Sequence, residues 1–198
     1  MHFILGLFLS YLLGAIPVGI LVARKYGHND LTQKGSGNIG ATNVARVVGK
    51  KAGIITLIGD IAKGLLPVLF FSVLIGTDTW QKQTIVALAG LAAFLGHIFS
   101  IFLKFKGGKG VATATGVFLG LCPLAVLVDI IVFSFVAWRW RYVSLASLSA
   151  ALAMPVLMGL FSDKKIYILL AVVIAFLIFY RHKDNIKRLL AGREPTFK

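Results

Sequence analysis

Carboxylates are scarce in this sequence: seven Asp and Glu stand against 21 Lys and Arg in 198 residues, a formal net charge of +14. The acids form no ligand cluster and the histidines are scattered, so neither a metal nor any other cofactor is expected. Cysteine is nearly absent too. Cys122 stands alone in an apolar stretch, which excludes a disulfide framework and a cysteine metal cluster. Charged residues make up only 14% of the chain and hydrophobic ones 58%, against roughly 25% charged in soluble domains. That excludes a water-soluble globule. Basic residues are missing ahead of the first apolar run, Phe3 to Ala23, and further runs follow it. It therefore reads as a first membrane helix and not as a cleaved signal peptide.

What the chain does have is a series of apolar runs about as long as a ~30 Å hydrocarbon core requires. Helices are expected at Gly53 to Ile75, Thr84 to Leu103, Tyr142 to Phe161 and Lys165 to Tyr180, with a longer run from Val111 to Ala137. The segments Arg24 to Lys51, Lys104 to Lys109, Arg139 to Arg141 and Arg181 to Lys198 hold 17 of the 21 cationic side chains. By the positive-inside rule all four are cytoplasmic. Basic segments at both ends of the Val111 to Ala137 run mean that it goes in and returns, and Pro123 near its middle would break a continuous helix. Two short, tilted helices of ~13 residues each are expected to meet there. The expectation is an all-α bundle of seven membrane helices, one polytopic domain over 1–198, N-terminus outside and C-terminus cytoplasmic. With the charge confined to short loops, the lipid bilayer and not nucleic acid is the expected partner.

Four places could carry chemistry. The first loop reads Gly35-Ser36-Gly37-Asn38-Ile39-Gly40-Ala41-Thr42-Asn43-Val44-Ala45-Arg46. Its glycines let backbone amides approach an anion, Ser36, Asn38, Thr42 and Asn43 can donate hydrogen bonds, and Arg46 can grip two oxygens. An ordinary polar turn with a positive-inside arginine fits the same residues. The second segment runs Gly96-His97-Ile98-Phe99-Ser100, then Lys104-Phe105-Lys106-Gly107-Gly108-Lys109-Gly110-Val111-Ala112-Thr113. Three glycines around Lys109, just before a helix start, would gather free amides and a positive helix end where a phosphate could dock. A basic interfacial turn is the plainer alternative. His97, about seven residues inside its helix, is either a general base or a buried hydrogen-bond partner. In the tail, His182, Asn185 and Leu189 fall at i, i+3 and i+7 and share a helical face, although a lysine-rich surface helix would look similar. Asp60 and Lys63, three apart inside an apolar helix, read as an internal ion pair or as a substrate contact by Lys63. Asp129 receives no role.

Together these segments resemble the bacterial acyl-phosphate-dependent glycerol-3-phosphate acyltransferase family of the inner membrane. The resemblance covers essentially the whole chain: a first motif at Ser36 to Arg46, a second at Gly96 to Thr113, and a third at His182, Asn185, Arg188, Gly192 and Glu194, in that order. It implies acyl transfer from acyl phosphate to the sn-1 hydroxyl of glycerol 3-phosphate, giving 1-acyl-glycerol 3-phosphate (lysophosphatidic acid) and phosphate, the first step of phospholipid synthesis. It implies a seven-helix membrane fold in the bacterial cytoplasmic membrane with the site facing the cytoplasm, and no obligate protein partner. Ser36, Arg46, Lys104, His182 and Asn185 are then the catalytic candidates. Gly37, Asn38, Gly40, Thr42, Asn43, His97, Lys106, Gly107, Gly108, Lys109 and Gly110 are the substrate-binding ones, the second-motif glycines taking the acyl phosphate, and Glu194 is structural. Ser100 departs from the family, where many members carry proline. His28, His97 and His182 each lack an aspartate five residues on, which argues against acyl-CoA-dependent enzymes that use such a dyad. A small organic-anion transporter using the basic loops as a vestibule, or a lipid-binding scaffold, are the rival readings.

Overall fold

The computed structural model describes residues 2–197, whose regular secondary structure is helical, without a strand. Their contacts divide them into two compact units, one ending at Val117 and the other beginning at Phe118. The first holds α1 (His2–Ala15), α2 (Val18–Lys25), α3 (Ala41–Val47), α4 (Lys50–Ile75) and α5 (Trp80–Ile98). A sixth helix, α6 (Val111–Leu121), begins in the first unit and ends in the second. The second unit then holds α7 (Pro123–Trp140), α8 (Val143–Phe161), α9 (Lys165–Arg181) and α10 (Lys183–Leu190).

Five segments among the described residues are long and apolar enough to cross a membrane: Phe3–Lys25, Lys50–Ile75, Trp80–Leu103, Pro123–Trp140 and Val143–Phe161. The α9–α10 pair, bent by 62°, makes a sixth if taken as one span, and α6 is a shorter apolar helix. The expected break at Pro123 is present, but the expected equal halves are not: α6 has 11 residues and α7 has 18. Proline has no N–H and pushes the residue before it out of the helical region, so α6 ends ahead of Cys122 and Pro123 opens α7, where a missing N–H costs nothing. At 1.5 Å per residue α7 reaches ~27 Å and α6 only ~16 Å.

The first apolar run is also broken, which periodicity did not foresee. Ile16–Pro17 separates α1 from α2, and the carbonyls freed there find side-chain donors. Ser100 Oγ donates to Ala15 O at 2.6 Å and Lys63 Nζ to Ile16 O at 2.9 Å. Both donors are buried, as hydrocarbon demands when a backbone bond is lost. Small residues let helices in the first unit cross at backbone distance. A Cβ on Gly14 would strike the Ala93 carbonyl, one on Gly96 the Tyr11 carbonyl, and one on Gly64 the Thr113 carbonyl. Large apolar side chains such as Phe70, Val73 and Leu74 face outward, the arrangement lipid favours and water does not.

Candidate active site

The first loop is shaped by one side chain. Asn43 sits on the short α3, is 2% exposed, and serves four backbone groups. Its Oδ1 accepts from Ser36 N at 2.8 Å, while its Nδ2 donates to Asn38 O at 2.8 Å, Lys34 O at 3.1 Å and Leu31 O at 3.4 Å. Gly35 and Gly37 turn the chain with φ of 62° and 68°, and a Cβ on Gly35 would collide with Asn43 Oδ1, so this curl requires glycine on both counts. Asn38 Oδ1 accepts from Gly40 N at 2.7 Å, just ahead of α3. Thr42 and Arg46, one helical turn apart on α3, remain exposed, as does Ser36. The loop therefore uses Asn43 for its own shape and presents hydroxyls and a guanidinium on its surface.

The second segment is a chain of tight turns between α5 and α6. Ile101–Leu103 forms a single 3-10 turn, after which Lys104 (φ 51°) and Phe105 (φ 62°) adopt the left-handed conformation. Left-handed backbone on two non-glycine residues is costly. It is held by Phe105 N donating to Ser100 O at 2.8 Å and Lys106 N to Leu103 O at 3.0 Å. Lys104 and Lys106 are exposed. Gly108 N donates to His97 O at 3.1 Å, and Gly110 (φ 88°) leads into α6. A Cβ on Gly107 would strike His97 O, one on Gly108 the His97 ring, and one on Gly110 the Phe94 ring. All three glycines are thus required by close approach. His97 is 4% exposed and lies directly beneath Gly108. Sequence reasoning gave no role to Tyr11, whose hydroxyl donates to Phe99 O at 2.6 Å and fixes the start of these turns. A phenolic hydroxyl within a mostly apolar helix was the available signal.

Ser100 has φ −65°, the value proline imposes. The serine thus preserves the backbone that proline would give and adds the bond to Ala15 O.

The third motif lies in the second unit. His182 joins α9 to α10 and is 2% exposed; its Nδ1 lies 2.8 Å from Ile178 O. A carbonyl only accepts, so Nδ1 carries the hydrogen in this contact. Glu194 accepts from Asn185 Nδ2 at 2.6 Å through Oε1 and from Arg188 Nε at 2.7 Å through Oε2. Burial pushes the Glu194 carboxyl up, but Ser144, Asn185 and Arg188 outweigh that and hold it below its ordinary value. The Ser144 hydroxyl faces the carboxylate without a hydrogen bond of good geometry. Gly192 (φ 64°) turns the chain so that Glu194 returns to α10. Asn185 and Arg188 share one face of α10, and Leu189 is half-buried. Among the described residues no group of His, Cys, Asp and Glu could hold a metal ion.

Comparison with known proteins joins these three motifs to one family. The family model described as glycerol-3-phosphate acyltransferase matches residues 4–192. A glycerol-3-phosphate acyltransferase of Geotalea daltonii is 52% identical over 96% of this chain and 94% of its own length. One of Geobacter metallireducens is 53% identical with the same coverage, and glycerol-3-phosphate acyltransferase 2 of Bacillus anthracis is 47% identical over 96% of this chain and 97% of its own. Two crystal structures of PlsY, an integral membrane glycerol 3-phosphate acyltransferase, superpose over all of this chain and 96% of theirs. The glycerol 3-phosphate form has a TM-score of 0.93 at 40% identity and the lysophosphatidic acid form 0.90 at 39%. This chain is a multi-span integral membrane protein, and it belongs to the glycerol-3-phosphate acyltransferase family.

Proposed function

We propose that this protein transfers a fatty acyl group from acyl phosphate to the sn-1 hydroxyl of glycerol 3-phosphate, releasing lysophosphatidic acid and phosphate. The observation that carries the reading is a family match across residues 4–192, which takes in the first two motifs and the third as far as Gly192. Relatives solved in glycerol 3-phosphate and lysophosphatidic acid forms agree with the acceptor and the product. The donor is what the resemblance to the acyl-phosphate-dependent family implies, and exposed cations with glycine-defined turns that suit phosphate groups support it.

Acyl phosphate is a mixed anhydride with a good leaving group, so no protein nucleophile is needed. The acceptor hydroxyl attacks the acyl carbonyl directly, a tetrahedral oxyanion forms, and collapse expels phosphate while the hydroxyl proton passes to a base. Arg46, Lys104 and Lys109 offset the charge of the two phosphates and the negative charge that develops in the transition state. Ser36, Gly37, Gly40 and Thr42 orient a phosphate at the first loop, and Lys106 adds charge at the second. His182 and Asn185 support activity, as the resemblance implies, and Asn185 holds the geometry of the tail. In this reading the basic loops face the cytoplasm, the N-terminus lies outside, seven helices enter the bacterial cytoplasmic membrane and the acyl chain stays in lipid.

The test is incorporation of labelled glycerol 3-phosphate into lipid by purified protein offered acyl phosphate, acyl-CoA or acyl carrier protein in parallel. Product with acyl phosphate alone, matched by phosphate release, is expected. Product from a thioester overturns the donor. Absence of product with every donor, together with gradient-driven anion flux, supports transport instead.

A further inference from the structure

The two buried charges of α4 have no part in the transfer mechanism above, yet they reach the second motif. Asp60 and Lys63 are 2% and 4% exposed. Lys63 Nζ lies 3.0 Å from Asp60 Oδ1 and donates to Ile16 O at 2.9 Å, at the break between α1 and α2. The same Asp60 oxygen lies 3.6 Å from His97 Nδ1. That is longer than a hydrogen bond, but it is within reach of a charge on the ring's polar edge. The opposite edge of the ring, at Nε2, lies against Gly108, whose N–H donates to His97 O. A continuous path thus runs from the broken helix through Lys63, Asp60 and His97 to the glycine turn.

Charges at this depth are costly unless paired, and a neutral pair holding nothing is readily replaced by apolar side chains. Here the carboxylate of the pair faces the polar edge of an imidazole ring whose far edge lies against Gly108. We propose that Asp60, Lys63 and His97 form a positioning unit. Asp60 orients His97, Lys63 anchors Asp60 to the helix break, and His97 sets the conformation in which the second motif meets a phosphate. This rests on the reading of that motif as a phosphate site. It takes His97 out of direct contact with substrate.

The test combines two sets of variants, with glycerol 3-phosphate and acyl phosphate varied in turn. Gly108→Ala puts a methyl group against the His97 ring and is expected to raise KM for one phosphorylated substrate about tenfold, the size of one lost charge-assisted hydrogen bond. His97→Ala should raise the same KM. Because the smaller side chain makes room for the methyl group, the double variant should be no worse than the worse single. Multiplied defects, about a hundredfold, would mean that His97 acts on substrate independently and would overturn the proposal. Asp60→Leu with Lys63→Met removes both charges together and should raise that KM about tenfold while kcat stays within about twofold. Asp60→Asn with Lys63→Met, equally uncharged but still offering an oxygen to His97, should restore it. A fall in kcat with KM unchanged, or equal behaviour of the two pairs, overturns the proposal. If the leucine pair fails to fold, the His97–Gly108 cycle decides. Wild-type protein inactive with every donor would instead refute the functional reading, which keeps the two failures apart.

Discussion

Asn43→Ala tests how the first loop is built. The substitution deletes three bonds of good length, to Ser36 N, Asn38 O and Lys34 O, and one at 3.4 Å to Leu31 O. A neutral hydrogen bond contributes about 1 kcal/mol net, so the ordered curl loses at most ~3 kcal/mol; water reaching the exposed loop returns part of that, leaving ~1–3 kcal/mol. If that energy separates the ordered loop from open forms, kcat/KM should fall roughly 5- to 100-fold, at ~1.4 kcal/mol per decade. Thermal stability should fall as well, because the curl that Asn43 ties together carries the buried apolar side chains Leu31, Ile39 and Val44. Hydrogen exchange of ligand-free protein, resolved to the Ser36–Arg46 peptide, should speed up by a similar factor. Asn43→Asp keeps an acceptor for Ser36 N but turns an oxygen toward carbonyls that were accepting, so it should do at least as much harm as alanine. Lost activity with unchanged exchange in the free protein would refute the reasoning and place Asn43 on the substrate directly.

Three further outcomes follow from the tail, the turns and the helix crossings. Because Glu194 is held below its ordinary carboxylate value when folded, its contribution is complete above the unfolded value and is lost as pH falls through the folded one. Melting temperature in detergent should therefore drop on acidification below the carboxylate range, and Glu194→Gln should lower stability near neutrality and flatten that acid-side dependence. Ser100→Pro keeps the backbone at φ −65° but leaves the buried Ala15 O without its donor, so it should cost about 1–3 kcal/mol; unchanged melting would contradict this. Gly14→Leu drives a side chain into the Ala93 carbonyl and should sharply reduce folded yield, by ~3 kcal/mol or more for overpacking at a backbone crossing. Near-normal melting would show that α1 and α5 can separate.

The sequence alone determined the class of this protein, because in lipid the arithmetic of length, apolarity and basic loops leaves few solutions. It placed the break at Pro123, the glycine-rich turns and the order of the three motifs, all of them local properties of residue type and spacing. Tertiary structure decided the rest. Pro17 was equally visible, yet whether the first run could be broken depended on donors from Ser100 and Lys63, far away in sequence. Asn43 read as a substrate ligand because an amide beside glycines suits an anion; only the fold shows its amide turned inward onto four backbone groups. The i, i+3 spacing told that Asp60 and Lys63 could pair, but that the same carboxylate faces His97, and His97 faces Gly108, is a matter of α4 and α5 packing. Local rules read what each segment can be. Which side chains are used up by the backbone and which remain for a ligand depends on contacts between segments distant in the chain, and no local rule carries those.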